Sequence, residues 1–483
     1  MVFPGITALN DNAAHETLTV KNPGALVEAL SRTRGFTHLG MAPGGHLTGQ
    51  QNPDSHHNSR FIITTALPEF RLELRAGDAL EDFQAIWAKV EQHMRDARSP
   101  TLCPAVDTPF TGGFIGFAAY ELGFFCEPSL LRHARSLPAD MLLLSTAFFS
   151  WALIQDLEKA ESFVFFHHQC SDYTKQTVKE LIRGVTDHRA PAQEFHLLEP
   201  FRALESRDAY IDNFRQVQDY ILAGDCYQAN LAQCFEAPFR GAPWTAFRTL
   251  SRAFPTPFSA FMDLDEQQIV SLSPERFVRI EGREVETKPI KGTRRRGTTT
   301  AEDLALREEL AASKKDRAEN LMIVDLLRND LGRSCATGSV RVQSLFRIES
   351  YRNVHHLVST ITGRLRDGIT PFTALMHAYP GGSITGAPKI RAMEIIQQLE
   401  AQPRGPYCGS IFYLSCHGRM DSSIAIRTAL CRNGTMRFWG GGGVVADSEA
   451  ESEYQETLTK VRPIMEVLMA NASGPQAPAT RKR

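Results

Sequence analysis

Two pairs of acidic residues have the spacing of a single helix face. Asp316 and Glu319 lie three residues apart in KKDRAENLMIVDL, and Glu453 and Glu456 have the same spacing in ESEYQETLTK. Residues at i and i+3 of a helix project to the same side, so each pair presents two carboxylates together. Two such faces brought together would offer the hard oxygen ligands that Mg²⁺ prefers. Acidic residues at this spacing often form a solvated face, which is the alternative interpretation.

A lysine in an unusual setting follows a candidate acid. Lys291 lies between Pro-Ile and Gly-Thr in ETKPIKGTRRRG, and Glu275 follows a proline in SLSPERF at the end of a predicted strand. Partial desolvation favours the neutral, nucleophilic form of an amine, and Glu275 is the candidate acid counterpart. The three arginines would suit a phosphate or RNA patch, but no aromatic residues are interleaved, and loop decoration is the alternative.

Two glycine-rich segments could approach a ligand closely. The glycines at 440–443 follow Trp439 and would let an anion reach backbone amides, with a flexible turn as the alternative. Arg427 interrupts an apolar strand pattern and therefore needs a carboxylate partner. The segment YPGGSITGAPKIRAMEII contains Lys389 and resembles a phosphate loop, but GAPK replaces the GK[ST] signature, so a nucleotide is disfavoured.

His355 and His356 are adjacent in VHHLVST, so they point to opposite faces if the segment is a strand. One of them could reach a site, although a core or surface role is the alternative. The nine cysteines are scattered and form no CxxC pair, which argues against a disulfide framework and against a zinc site.

Composition excludes several classes of protein. Hydrophobic residues make up 42% of the 483-residue chain and charged residues 22%, and the formal charge is -2. These values are typical of a soluble globular protein without a bias toward nucleic acid or anionic membranes. The first residues lack the pattern of a secretory signal, and no apolar run is long enough for a bilayer span. We therefore expect a cytoplasmic protein with neither a nucleic-acid nor a membrane partner.

Alternating apolar residues predict strands at 59–67 and 70–77, and again in the runs CFEAPF, FSAFMDL, QIVSLS and FVRIEG. Helical periodicity predicts a helix after Ser206, a long helical tract over 301–331 and a last helix over 449–468. The prolines of segment 185–200 indicate a linker. We therefore divide the chain into an N-terminal region at 1–195, a catalytic region at 200–468 and a disordered tail at 472–483.

A series of sequence blocks occurs in the order SPERF, PIKGT, KDRAEN, HHLVST, PGGSITGAPKIRAMEII, GPYCGSIFYL, SIAIRTA and GGGVVADSEAESEYQET. With these blocks the chain resembles the chorismate-utilising enzymes, strongly over about residues 200–465 and more weakly through SRF at 59–61 and GGFIGFAAYELG. The resemblance implies an α/β fold of the anthranilate synthase component I type, in which two antiparallel sheets form a sandwich flanked by helices.

The resemblance also implies a reaction. Aminodeoxychorismate synthases typically carry a lysine at the position of Lys291, where anthranilate synthases have alanine. The amine would add to C2 of chorismate while Glu275 protonates the departing C4 hydroxyl, and ammonia would then add at C4. The expected product is 4-amino-4-deoxychorismate, the precursor of p-aminobenzoate for folate. The alternatives are an anthranilate synthase component I, an isochorismate or salicylate synthase and, from another class, a catalytically silent regulatory or phosphate-binding protein.

Further roles follow from matching positions in the family. Glu319 and Glu456 match direct Mg²⁺ ligands, while Asp316 and Glu453 match neighbours that act directly or through water. His356 matches the active-site histidine. The matching substrate-binding positions are Ser383, Tyr407, Arg427, Gly440, Gly442, Gly443 and Lys460. No GxCxGxQ nucleophile loop occurs in the chain, so the resemblance implies a separate glutamine amidotransferase subunit that delivers ammonia.

Overall fold

The computed structural model describes residues 16–40, 60–98, 108–134, 136–185, 193–351 and 354–472. The strands are β1 Glu16–Thr19, β2 Thr37–Leu39, β3 Phe61–Thr65, β4 Phe70–Arg75, β5 Gly113–Ala118, β6 Leu142–Phe149, β7 Trp151–Asp156, β8 Glu161–Phe166, β9 Phe195–Leu197, β10 Arg202–Ala203, β11 Gln228–Gly241, β12 Phe258–Asp263, β13 Gln267–Ser273, β14 Arg276–Glu281, β15 Glu284–Lys288, β16 Ile290–Arg295, β17 Arg341–Ser350, β18 Val354–Arg364, β19 Gly386–Ala387, β20 Ser410–Ser415, β21 Met420–Ile424, β22 Thr428–Arg432 and β23 Thr435–Val444.

The α-helices are α1 Pro23–Leu30, α2 Leu80–Asp96, α3 Gly123–Cys126, α4 Leu131–Ala134, α5 Asp172–Gly184, α6 Arg207–Leu222, α7 Pro243–Ala253, α8 Thr300–Ala312, α9 Lys314–Gly332, α10 Pro371–Ala378, α11 Lys389–Leu399 and α12 Ala450–Ala472. Short 3-10 turns occur at Tyr120–Leu122, Pro128–Leu130 and Gly382–Ile384. Among the residues described here, no helix is both long and apolar enough to cross a membrane.

The strands form two antiparallel sheets. The first runs in the order β1-β8-β7-β3-β2-β12-β13-β22-β23-β11-β10, with β9 and β19 also paired to β11. The second runs in the order β16-β18-β15-β14-β21-β20-β5-β6-β4, with β17 paired to β18. One buried core contains side chains of both sheets, for example Ile63 and Ile269 from the first and Phe117 and Phe412 from the second. The predicted α/β fold with two antiparallel sheets is confirmed.

Each sheet takes strands from both sides of residue 195. Strand β2 pairs with β12 in the first sheet, and β5 pairs with β20 in the second. The division of the chain into an N-terminal and a catalytic region stays a prediction. Of the predicted linker, residues 186–192 lie outside the described part of the chain, as do residues 473–483 of the predicted tail.

Local patterns located a helix that packs against α12. The predicted helix after Ser206 is α6, which begins where the Ser206 hydroxyl accepts a hydrogen bond from the Ala209 amide at 3.1 Å. It buries the apolar stripe of Tyr210, Phe214 and Val217. A side-chain oxygen at this position satisfies an amide that the first turn leaves without a partner.

The expectation of one long helical tract over 301–331 is wrong in one respect, because two helices, α8 and α9, meet at Ser313. The backbone of Ser313 is extended, and its hydroxyl accepts a hydrogen bond from the Asp316 amide at 3.3 Å. Serine competes for backbone hydrogen bonds and so favours a helix start over a helix interior. The break places Asp316 in the first turn of α9.

Candidate active site

A cavity of about 980 Å³ has every residue of the predicted site in its wall. The walls come from the region after β13, strands β16, β18 and β23, the start of α9 and the first half of α12. The 3-10 turn Gly382–Ile384 closes one side. Residues that are far apart in the sequence therefore share one chamber, which is large enough for a ring-sized substrate.

Ser383 joins the candidate acid to the candidate nucleophile. Its hydroxyl donates to Glu275 Oε1 at 2.9 Å, and its carbonyl oxygen accepts from Lys291 Nζ at 3.3 Å. Glu275 is buried, and this burial raises the pKa of its carboxyl to about 7, although the charge of Lys291 and the Ser383 hydroxyl oppose the rise. Glu275 can therefore hold a proton near neutral pH, as a general acid must. Lys291 is half-buried and lies in the cavity wall, facing the chamber rather than bulk water.

His356 is a buried, neutral group in the wall. Burial, the nearby Arg427 and the charge of His355 together lower its pKa to about 3. Its Nδ1 lies 2.9 Å from the hydroxyl of Thr293, and its ring contacts the ring of Tyr351 with centroids 5.5 Å apart. The neighbouring His355 points elsewhere, since its Nε2 lies 3.0 Å from Asp303 Oδ1. A neutral imidazole can donate or accept one hydrogen bond without bringing charge into the cavity.

The two acidic pairs face each other across the cavity from α9 and α12. The ammonium of Lys315 lies 4.0 Å from Glu319 Oε1 and 4.0 Å from Glu453 Oε1, so it bridges the two helices. Burial raises the pKa of Glu319 and of Glu453, and proximity to other carboxylates adds to both shifts. In the part of the chain that the structure describes, no three acidic, histidine or cysteine side chains are grouped closely enough to form a metal cluster. Cationic side chains lie beside these acids, Lys315 near Glu319 and Glu453, and Arg294 at 3.3 Å from Asp316 Oδ2.

The pKa of Glu456 shifts in the opposite direction to those of Glu319 and Glu453. Burial opposes its ionisation, but the attraction of Lys460, Lys315 and Lys291 outweighs burial and lowers its pKa. Lys460 Nζ lies 2.8 Å from Glu456 Oε1 and donates to the carbonyl oxygen of Gly441 at 2.7 Å. The carboxylate of Glu456 therefore stays charged and directed toward the glycine strand.

The four glycines at 440–443 lie within strand β23 and pair with β11, so the alternative of a flexible turn is wrong. Each lacks space for a side chain. A Cβ on Gly442 would lie 2.9 Å from Glu453 Oε2, and a Cβ on Gly443 would lie 2.6 Å from the Gln228 amide nitrogen. A Cβ on Gly441 would lie 2.7 Å from the Tyr407 hydroxyl. The glycines let α12 and the tyrosine approach the strand, because only a residue without Cβ tolerates such close packing.

We expect Gly440→Ala to lower the free energy of unfolding by about 1 to 3 kcal/mol, because overpacking displaces neighbouring atoms. The new Cβ would lie 2.5 Å from the carbonyl oxygen of Thr457, a backbone atom of α12 that cannot rotate away. Gly184→Ala is the matched control, since Gly184 ends α5 with nothing within 4 Å of its Cβ position. Urea unfolding of both variants measures the difference, and equal stabilities would contradict the tight contact.

Arg427 presents an unusual cation to the cavity. Burial lowers the pKa of its guanidinium, and no carboxylate pairs with it among the residues that the structure describes. Near it in the wall, Tyr407 is buried, and its ring lies parallel to that of Trp439 with centroids 6.4 Å apart. A desolvated guanidinium favours a bidentate carboxylate, so this part of the cavity suits an acidic ligand.

The arginines after Lys291 connect strand β16 to helix α8. Arg294 pairs with Glu309 at 2.7 Å, Arg296 pairs with Asp303 at 2.8 Å, and Arg295 pairs with Glu302. The sequence suggested a phosphate or RNA patch or loop decoration for these arginines. In the structure they form ion pairs with acids of α8, which hold this helix beside the cavity.

Sequence reasoning missed several residues of the wall. Lys315 adds a positive charge to the wall and Tyr351 adds an aromatic ring. Asn230 also lies in the wall and donates to the carbonyl oxygen of Ile384 at 3.0 Å. The position of Lys315 four residues before Glu319 was a usable signal, because residues at i and i+4 of a helix are neighbours. Nothing in the local sequence around Asn230 or Tyr351 indicated a site.

The chain is similar to a family of known proteins over most of its length. The chorismate binding enzyme family matches residues 54–466. Aminodeoxychorismate synthase component 1 of Klebsiella aerogenes is 47% identical over 428 residues, which cover 86% of this chain and 91% of that protein. The protein of the same name from Salmonella typhimurium is 47% identical over 369 residues, covering 76% and 78%. The crystal structure of anthranilate synthase component I from Streptococcus pneumoniae TIGR4 superposes with a TM-score of 0.71 at 28% identity, covering 88% of this chain and 95% of that one.

The chain therefore belongs to the family of chorismate binding enzymes.

Proposed function

We propose that this chain is the synthase component that converts chorismate and ammonia to 4-amino-4-deoxychorismate, in the biosynthesis of p-aminobenzoate for folate. The overall reaction replaces a hydroxyl with an amino group and so belongs with the aminotransferases. The observation that carries the proposal is the pairing of a half-buried amine, Lys291, with a buried acid, Glu275, through Ser383 in the cavity. Relatives named aminodeoxychorismate synthase component 1 support the choice over the anthranilate and isochorismate alternatives.

The first step uses Lys291 and Glu275 together. The lone pair of the Lys291 amine forms a bond to C2 of chorismate, the ring double bonds shift, and the C4–O bond breaks. Glu275 gives its proton to the departing hydroxyl, which leaves as water. The second step reverses the electron flow, because ammonia adds at C4 and the bond between C2 and Lys291 breaks. Two displacements of this kind divide one difficult substitution into two easier ones.

The carboxylates of the substrate have separate partners in the cavity. Arg427 and Tyr407 would hold the enolpyruvyl carboxylate, because the Arg427 guanidinium is desolvated and has no acid partner in the described chain. Lys460, on α12, and the amide of Gly443, on β23, would hold the ring carboxylate. The walls beside this strand include Gly440 and Gly442, where the absence of side chains allows close approach.

Magnesium suits the acidic pairs. Glu319 and Glu456 would bind the ion directly, while Asp316 and Glu453 would act directly or through water. The fit rests on the donor set and on Lys315, whose ammonium already lies 4.0 Å from a carboxylate oxygen of each helix. The bound ion would neutralise the ring carboxylate and stabilise the charge that develops as the hydroxyl leaves.

Ammonia is expected from a separate glutamine amidotransferase subunit in a heterodimer. The relatives carry the designation component 1, which supports a second component. Free ammonium should replace the partner in a purified system, because the cavity needs only the small nucleophile at C4.

Product analysis tests the proposal. The purified chain is incubated with chorismate, Mg²⁺ and ammonium, and aminodeoxychorismate lyase is then added. We expect p-aminobenzoate. Anthranilate in place of p-aminobenzoate would overturn the assignment in favour of anthranilate synthase, and isochorismate or salicylate formed without ammonium would overturn it in favour of the water-using enzymes.

The pH dependence of turnover should report Glu275. A general acid acts in its protonated form, so turnover should fall as the pH rises through about 7, the pKa to which burial raises this carboxyl. In Ser383→Ala the carboxylate loses a stabilising hydrogen bond. Its pKa then rises, and the falling limb should move to higher pH. Rates of product formation between pH 5.5 and 9 give the pH at which turnover falls. If this pH is the same in Ser383→Ala as in the wild type, a group other than Glu275 causes the fall.

A further inference from the structure

A buried ion pair behind the cavity joins three helices. Lys389, the first residue of α11, donates to Asp330 Oδ1 at 2.6 Å and to the carbonyl oxygen of Ala378 at 3.1 Å. The side chains of Lys389 and Asp330 are only 9% and 5% exposed. Asp330 belongs to the last turn of α9, and Ala378 ends α10. Lys389 is the lysine of GAPK, and neither the proposed chemistry nor the cavity wall includes it.

The same pair abuts the turn that carries Ser383. A Cβ on Gly382 would lie 2.6 Å from a methyl carbon of Leu326 and 3.4 Å from Asp330 Oδ2, so α9 presses directly against the turn. Asp330 Oδ2 is buried and has no hydrogen-bond partner in the described chain. The turn then presents the Ser383 hydroxyl to Glu275 and the Ser383 carbonyl oxygen to Lys291.

Helix α9 connects the Lys389–Asp330 pair to the acidic residues in the cavity wall. Its last turn holds Asp330, and its first half holds Asp316 and Glu319 in the cavity wall. An α-helix is rigid over this length, so fixing one end also fixes where the acidic pair stands. The Lys389–Asp330 pair therefore contacts both the element that carries Ser383 and the element that carries the acids.

Burying two charges is a costly way to stabilise a core, because desolvation offsets most of their attraction and apolar residues of similar volume often do as well. The geometry indicates a different use. We propose that the ion pair of Lys389 and Asp330 is a positioning device that locks the Gly382–Ile384 turn against α9 and thereby sets the contact of Ser383 with Glu275. Both residues act through Ser383 and touch no substrate.

The test uses Asp330→Asn, which keeps the shape and one acceptor, and Lys389→Met, which keeps the aliphatic stem. The kinetic readout rests on the proposed function. We expect kcat to fall about tenfold with KM changed less than twofold, because a small displacement of an acting group lowers the rate without removing binding contacts. The falling pH limb should move upward, as in Ser383→Ala. Lys389→Arg keeps the charge, so its kcat and the position of its falling pH limb should lie closer to the wild-type values than those of Lys389→Met.

The matched control is Arg60→Met, which breaks a buried ion pair with Asp156 of β7, in the first sheet. In that pair Arg60 Nη2 lies 2.6 Å from Asp156 Oδ2. We expect it to lower the melting temperature while leaving the pH limb in place. If Asp330→Asn folds and loses stability but keeps the wild-type limb and kcat, the positioning role is wrong and the pair serves stability alone.

A readout that needs no turnover separates this inference from the proposed function. Titration of ¹³C-labelled glutamate carboxyls by NMR, with Glu275→Gln to assign the signal, gives the pKa of Glu275 directly. Its pKa should be higher in Asp330→Asn than in the wild type, because the Ser383 hydrogen bond is lost or lengthened. An unchanged pKa would overturn the inference even if the wild type makes the proposed product, whereas a shifted pKa would support it even if the product is different.

Discussion

Lys291→Ala is expected to lower kcat/KM about 1000-fold, which corresponds to roughly 4 kcal/mol in the activation barrier. The variant lacks the amine that adds to C2 of chorismate, so ammonia would have to displace the C4 hydroxyl in one step. Protein folding should be little affected, because Lys291 is half-buried and its amine donates a hydrogen bond of 3.3 Å to the carbonyl oxygen of Ser383. Steady-state formation of p-aminobenzoate in the coupled assay measures the loss.

Lys291→Arg is the control that separates charge from nucleophilicity. A guanidinium keeps the positive charge near Glu275 and Glu319 but stays protonated and cannot form the bond to C2. We expect it to be nearly as inactive as Lys291→Ala. Substantial turnover in Lys291→Arg would show that the site needs only a cation. Mass spectrometry of quenched reactions adds a direct observation, since wild-type protein should gain a substrate-derived mass that both variants lack.

Glu456→Ala is expected to lower kcat/KM roughly 100-fold at low Mg²⁺, or about 2.7 kcal/mol, by removing a direct ligand of the ion. The pKa of Glu456 is lowered, so this residue supplies a full negative charge at neutral pH. Raising the Mg²⁺ concentration should recover part of the rate, because Asp316, Glu319 and Glu453 remain in the wall of the same cavity. A titration of rate against Mg²⁺ measures both effects.

Glu451→Ala is the matched control on the same helix. Glu451 is exposed and pairs with Arg207 at 2.6 Å, away from the cavity wall. Removing an exposed ion pair changes stability little, so turnover and its Mg²⁺ dependence should equal those of the wild type. If Glu456→Ala behaved like Glu451→Ala, the chain would match the expectation for a catalytically silent protein, and the metal assignment would fail with it.

Local sequence information predicted the residues that the structure brings together in one cavity wall. Helical spacing indicated that Asp316 with Glu319, and Glu453 with Glu456, each share one face, because residues three apart on a helix are neighbours wherever the helix lies. The flanking Pro-Ile and Gly-Thr marked Lys291 as an unusual lysine, and its place in an apolar sequence pattern marked Arg427, which the structure puts between β21 and β22. Ordered sequence blocks then indicated the family, which no periodicity could supply.

Local information was less reliable where two tendencies competed. The tract 301–331 has helical composition throughout, yet the Ser313 hydroxyl starts a second helix and turns α9 toward the cavity. Four consecutive glycines indicated a flexible turn as readily as a backbone open to an anion, and neither interpretation predicted a strand. Pairing with β11 and the close approach of α12 decided for a strand, since both depend on residues distant in the sequence.

The sequence by itself determined which groups are available: an amine, an acid, a desolvated guanidinium, two acidic pairs and glycines without side chains. Their types and short spacings are properties of the chain within one or two helical turns. Only the tertiary structure decided that Ser383 contacts both Glu275 and Lys291, that Lys315 bridges α9 and α12, and that Lys389 finds Asp330. The physical reason is that such contacts arise from burying two sheets and their helices around shared cores, and the burial of one segment depends on every segment packed against it.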